Sequence, residues 1–198
     1  STLDYNLILM SRSKKIKSLA DELGCISIQG SVTEDNDLKE VVQLAVDTFG
    51  GLNSVVNNTG HAPKGDLLKI TDHEWYASID ILLMNVIRIS RFIVPAMKEN
   101  GGSIINITSL NSELGFPNNP AYVAMKGGLK QLTKSLAVDL GKYNIRVNNV
   151  GPGYIKTNMT KQGWKNNRKQ IEDRTILGRW GEPEDLVGTI VFLLSSAS

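Results

Sequence analysis

The sequence has a single cysteine, Cys25, so no internal disulfide can form; this suits a reducing cytosol and reads as a structural, buried thiol rather than a nucleophile. No His/Cys cluster of the kind that holds a metal is present. Net charge is nearly lacking too: a formal +2 is too small to argue for nucleic acid or an anionic membrane as partner. Long apolar runs are missing. The longest, Ile79 to Ile89, carries Asp80 and Arg88, so nothing in it spans a bilayer, and no N-terminal stretch has the basic, apolar and small-residue order of a signal peptide. The expectation is a cytoplasmic protein without nucleic-acid or membrane partners. Internal repeats and low-complexity tracts are absent as well.

What is present is the composition of a globular protein, 41% hydrophobic and 21% charged over 198 residues, enough for one domain spanning 1–198 with a substantial core. Tyr5 to Met10 reads as a buried strand, and Ser11 to Leu23 as a helix with Ile16, Leu19, Ala20 and Leu23 on one face and Gly24 as its stop. A second strand follows at Cys25 to Gln29, a turn and cap at Ser31 to Asp35, an amphipathic helix over Leu38 to Phe49, and a third strand at Ser54 to Asn57. Strands alternating with helices of about a dozen residues predict a parallel sheet with helices on both faces, the doubly wound α/β class.

Thr71 with Glu74 three residues later is a capping-box pattern. It opens a long helix ending near Asn100-Gly101-Gly102. Ile79, Ile81, Leu82, Leu83, Met84, Val86, Ile87, Ile89, Phe92, Ile93 and Val94 leave this helix little polar face, which predicts burial of its outer side against a second subunit rather than under loops alone. Strand Ser103 to Thr108 comes next, then a loop through Gly115, Pro117 and Pro120, a helix from Ala121 to Gly141, and strand Ile145 to Val150 ended by Gly151-Pro152-Gly153. Between Thr157 and Leu177 the chain turns polar and weakly periodic, with Lys161, Lys165, Asn166, Asn167, Arg168 and Lys169. That predicts a mobile lid over 157–178. Pro183 to Leu194 reads as a closing helix.

Chemistry concentrates at Tyr122 and Lys126, which a helix stacks on one face, a phenol above an ammonium. Ser109 stands at the tip of the preceding strand. A strand-tip hydroxyl followed by a Tyr/Lys helix is a proton-handling site in outline.

Together with Asn57-Asn58-Thr59-Gly60, Asn148, Pro152-Gly153, Thr157 and the run Gly178-Arg179-Trp180-Gly181-Glu182-Pro183-Glu184-Asp185, these residues make the chain resemble the short-chain dehydrogenase/reductase family, from Leu7 to Ser196. The resemblance implies a Rossmann-like fold and hydride transfer between a nicotinamide and a carbonyl carbon. Tyr122 would be the acid/base, its pKa lowered by the Lys126 ammonium and by the positive ring of oxidised nicotinamide; Lys126 would also hold the nicotinamide ribose, and Ser109 the substrate oxygen. Ser11 and Arg12, where NAD-preferring relatives commonly carry an aspartate, suit a 2′-phosphate, so NADP is favoured with NAD as alternative. Ser31 and Val32 would lie beside the adenine. Asn57 and Gly60 would line the cofactor's ribose side, and Pro152, Gly153, Ile155 and Thr157 its carboxamide end.

Two departures from the family pattern stand out. The asparagine usual on the long helix falls at Leu82, with Asn85 one turn further on as a substitute or a bridging water in its place. The family's opening strand and glycine-rich phosphate turn, and its closing strand, have no counterpart, so both ends read as cut from a chain about 50 to 60 residues longer, with a gap left in mid-sheet. The implied function is that of a 3-oxoacyl-carrier-protein-reductase-like enzyme interconverting a ketone and a secondary alcohol. It would work as a homodimer or homotetramer through the 74–99 and 121–141 helices. A sugar or polyol dehydrogenase is the rival enzyme reading, and a cofactor-binding protein without turnover the rival of another class.

Overall fold

The computed structural model describes residues 5–198. Five strands and seven α-helices follow one another among them: β1 (Ile8–Ser11), α1 (Lys15–Leu23), β2 (Ile26–Gln29), α2 (Asp35–Phe49), β3 (Ser54–Asn57), α3 (Asp72–Ile79), α4 (Asn85–Met97), β4 (Gly102–Ile107), α5 (Pro120–Leu140), β5 (Ile145–Val150), α6 (Lys161–Glu172) and α7 (Glu184–Leu194). Every strand pairing is parallel, as crossover helices require. The ladder is broken, however. β1 pairs with β2, and β3, β4 and β5 form a separate sheet in that order, so the expected mid-sheet gap lies between β1 and β3 among the described residues.

Burial explains the central position of β4. Ser103, Ile104, Ile105 and Asn106 are all buried, and on one face Ile104 joins Leu38 of α2, Ile89, Ile93 and Met97 of α4, Leu140 of α5, and Ile145 and Val147 of β5. Each such fully buried aliphatic contributes about 1.5–3 kcal/mol. The entrance to β4 is tight: Gly102 has φ 156°, and a Cβ there would run into the Asn53 carbonyl oxygen and the Met97 methyl.

The capping box forms as expected, Glu74 N donating to Thr71 Oγ1 at 3.2 Å and Thr71 N to Glu74 Oε2 at 3.0 Å. The helix it opens is not uniform. Residues Asp80–Met84 wind as a π-turn between α3 and α4, which the regular apolar spacing conceals. The wider turn changes the helix's facing locally, with Leu82 and Asn85 both buried, 1% and 4% exposed.

Several sequence-based boundaries need correction. β1 starts at Ile8 rather than Tyr5, and α1 starts at Lys15 rather than Ser11, because Ser11 and Ser13 accept hydrogen bonds from the backbone amides of Ser13 and Lys15 and hold a turn there. The segment predicted as a lid is partly helical. It contains α6, where Arg168 pairs with Glu172 one turn on (2.9 Å), Trp164 lies between Lys156 and Arg168, and Ile171 is buried as an anchor.

Candidate active site

The end of β4 is fastened to the end of β5. Thr108 N and Oγ1 donate to Val150 O at 2.8 and 3.1 Å, and Leu110 N donates to Pro152 O at 2.9 Å. Between these anchors Ser109 sits in extended backbone (φ −169°, ψ 161°), its Oγ accepting from Asn111 N. Proline at the first position of α5 starts that helix without leaving an unpaired amide. Ser112 Oγ donates to Lys126 O at 2.9 Å and ties the intervening loop back to the helix.

Tyr122 and Lys126 share the sheet-facing side of α5, the Lys126 Nζ 5.8 Å from the Tyr122 ring centroid. Lys126 is 3% exposed and donates to the Ile107 carbonyl oxygen at 2.6 Å. Burial brings its pKa down to about 8. Burial also pushes the Tyr122 phenol above its usual value, and the neighbouring Ser109 hydroxyl opposes that rise. Without cofactor, desolvation is the larger influence on the phenol and the hydroxyl of Ser109 opposes it; the expected lowering by the Lys126 ammonium together with the positive nicotinamide ring concerns the loaded site. Ser109, Tyr122 and Lys126 thus come together at one strand end, a hydrogen-bond donor beside a half-buried phenol backed by an ammonium. Such a set can deliver a proton to an oxygen that becomes negative, and take it back.

The predicted cofactor contacts divide. Ser11 and Arg12 stand where β1 passes into α1, with Lys14, Lys15 and Lys17 following in the chain, and Arg12 makes no ion pair among the described residues. Gly60 and Gly153 present bare backbone; a Cβ at Gly60 would meet the Met159 methyl, while one at Gly153 would meet nothing. Thr157 is exposed, its amide donating to Thr160 Oγ1. Pro152 serves as the acceptor already described.

Four predicted positions are engaged elsewhere. Asn57 donates its side-chain amide to Asn106 Oδ1 at 2.8 Å. Val32 packs on the core, and Ser31 Oγ bonds Thr33 Oγ1 at 2.8 Å within the turn before α2. Ile155 packs its Cδ1 on Gly181. At the helix position in doubt, Leu82 is buried, and Asn85 Nδ2 donates to Thr59 Oγ1 at 3.1 Å while its Oδ1 has no partner. Met159 and the buried Asn106 carry no sequence signal of a site role beyond a lone asparagine inside Ile105-Asn106-Ile107, and Thr59 has one only as part of its motif.

A cofactor fits this edge on two observations: bare glycine backbone at Gly60 and Gly153 beside the strand ends, and unpaired Arg12 where β1 meets α1. The open ends of parallel strands are also where dinucleotides bind in this fold class. The family model described as enoyl-(acyl carrier protein) reductase matches residues 4–198. The chain belongs to the short-chain dehydrogenase/reductase family. It is 37% identical over 169 residues to the 3-oxoacyl-[acyl-carrier-protein] reductase FabG of Thermotoga maritima, covering 85% of this chain and 69% of that protein. It is 43% identical over 167 residues to the trans-4-hydroxycyclohexanecarboxylate dehydrogenase of Sinomonas cyclohexanicum, covering 84% of this chain and 62% of that one. Among solved structures, a gluconate 5-dehydrogenase from Burkholderia cenocepacia J2315 in complex with NADP and tartrate superimposes with a TM-score of 0.91 at 28% identity, over 96% of this chain and 78% of its own. This short-chain dehydrogenase/reductase thus spans about two thirds of the length of the curated relatives it matches.

Proposed function

We propose that the protein is an NADP-preferring oxidoreductase that interconverts a ketone and a secondary alcohol, with Tyr122 as acid/base, Ser109 as oxyanion donor and Lys126 as the cation that orients both phenol and cofactor. The observation that carries this is the convergence of Ser109, Tyr122 and Lys126 at the end of β4. When bound, the nicotinamide supplies or accepts the hydride. The chain's own part is the proton: Tyr122 Oη gives it to the nascent alkoxide while Ser109 Oγ donates to the same oxygen, and both are held by α5 and the β4 end.

Arg12, with Lys14 and Lys15 at the start of α1, would hold the 2′-phosphate; Ser31, Val32, Asn57, Gly60, Pro152, Gly153, Ile155 and Thr157 would form the cofactor wall chiefly through backbone where their side chains are engaged. The segment 157–178 would cover the substrate, within a single domain over 1–198. Exposed Tyr76 and Val138, 69% and 82% accessible, support association through the 74–99 and 121–141 helices as a homodimer or homotetramer. No helix among the described residues is long and apolar enough to cross a membrane; the site of action would be the cytoplasm. Its substrate would be a 3-oxoacyl thioester. A second reading, reduction of a keto sugar acid, is favoured by the likeness to a gluconate 5-dehydrogenase.

Purified protein mixed with NADPH and a panel of 3-oxoacyl thioesters and keto sugar acids tests this. Oxidation of NADPH with a thioester supports the first reading, with a keto acid the second. Tight NADPH binding with no oxidation by any ketone would leave a binder without turnover.

A further inference from the structure

Three asparagines lie side by side across the sheet. Asn57 of β3 is in register with Asn106 of β4, and Asn106 with Asn149 of β5, so the three side chains share one face. Their amides are not aimed at solvent. Asn57 Nδ2 donates to Asn106 Oδ1 at 2.8 Å, Asn106 Nδ2 to Thr133 Oγ1 at 2.8 Å, and Asn149 Nδ2 to Lys130 O at 3.2 Å. Thr133 Oγ1 passes its own hydrogen to Leu129 O at 2.8 Å. Asn106 is 0% and Thr133 1% exposed, where a polar group is retained only with its partners in place.

All the acceptors outside the sheet belong to α5. Tyr122, Lys126, Lys130 and Thr133 follow at helical spacing on its sheet-facing side. Lys126 reaches Ile107 O, and Asn106, the next residue down β4, reaches Thr133. Ser109 stands three residues beyond Asn106 on the same strand end. Apolar packing would tolerate a slide or small rotation of α5; hydrogen bonds of fixed length do not.

We propose that the Asn57–Asn106–Asn149 rung, through Thr133 and Lys130, is a positioning device that sets the height and rotation of α5, and with them the placing of the Tyr122 phenol against Ser109. Asn106 and Thr133 are its positioning residues. This rests on the acid/base reading of Tyr122, and it gives the three asparagines a role inside the fold, separate from contact with cofactor.

Thr133→Val keeps the shape and removes the hydroxyl, leaving the Asn106 amide without its acceptor; Thr133→Ser restores it. The expected outcome is a kcat about tenfold lower for Thr133→Val with KM for NADPH within twofold, and recovery to within twofold in Thr133→Ser. A second readout needs no turnover: the Tyr122 phenol, titrated by ultraviolet absorbance after subtraction of Tyr122→Phe, moves up by about half a pH unit or more in Thr133→Val and returns in Thr133→Ser. An unchanged phenol titration in Thr133→Val, or a Thr133→Ser variant that behaves like Thr133→Val, overturns the proposal. If the parent protein oxidises NADPH with no ketone, the enzyme reading fails while the phenol titration still decides the role of the rung.

Discussion

The Lys126 ammonium stands 5.8 Å from the centre of the Tyr122 ring and donates at 2.6 Å to the Ile107 carbonyl, buried with its pKa brought down to about 8. Folding therefore disfavours the charged form of this lysine. Its ordinary value is 10.5, so the unfolded chain binds more protons than the folded one between about pH 8 and 10.5. The penalty is complete below that window and relieved as pH rises through it.

Lys126→Met should consequently change the pH dependence of stability, apart from any constant offset from the lost bond to Ile107. Urea midpoints measured from pH 7 to 9.5 are expected to show the parent gaining stability relative to the variant, by an amount on the order of 1–3 kcal/mol. A difference that stays flat across that range would contradict a buried, depressed lysine. Staying below pH 10 keeps the upward-shifted Tyr122 out of the comparison, since its raised pKa lowers stability only above its ordinary value of 10.0.

Gly102 and Gly60 give opposite expectations for the same change. At Gly102 a Cβ meets the Asn53 backbone oxygen with φ at 156°, so Gly102→Ala should cost about 2 kcal/mol or more, read as a fall in Tm. At Gly60 the Cβ meets only the end of the Met159 side chain, which can swing aside, so Gly60→Ala should change stability by less than about 1 kcal/mol.

Thr71→Ala removes one half of the capping box at the start of α3. The expected loss is about 1 kcal/mol by chemical denaturation.

Arg12 carries the cofactor preference in this reading. Arg12→Glu should weaken NADPH binding about 10- to 100-fold while leaving NADH within a few-fold, measured by fluorescence titration. Equal losses for both would place Arg12 away from the 2′-phosphate.

Much of this is legible in the sequence. Short apolar runs such as Ser54 to Asn57 and Ser103 to Thr108 read as strands between amphipathic helices, and Thr71 with Glu74 marks its helix start by local chemistry. Ser109, Tyr122 and Lys126 were legible because helical spacing and a strand tip bring them together without knowledge of distant pairing. Other features depend on partners remote in sequence. The Asp80–Met84 π-turn keeps a helix-like apolar pattern, so periodicity hides it. α6 is polar enough to read as a loop, and its anchors, Ile171 inside and Lys156 beside Trp164, are visible only once the chain has folded. The bond between Asn57 and Asn106 follows from the register of β3 on β4, which no local spacing states. The phenol's pKa depends on how deeply the helix is buried, which a four-residue spacing does not state.

The proton-transfer role of Tyr122 is tested most directly by Tyr122→Phe, assayed for ketone reduction and for NADPH binding side by side. The expected result is a fall in kcat/KM of about 100- to 10,000-fold with NADPH affinity within a few-fold of the parent. Turnover retained within about tenfold of the parent would contradict the mechanism.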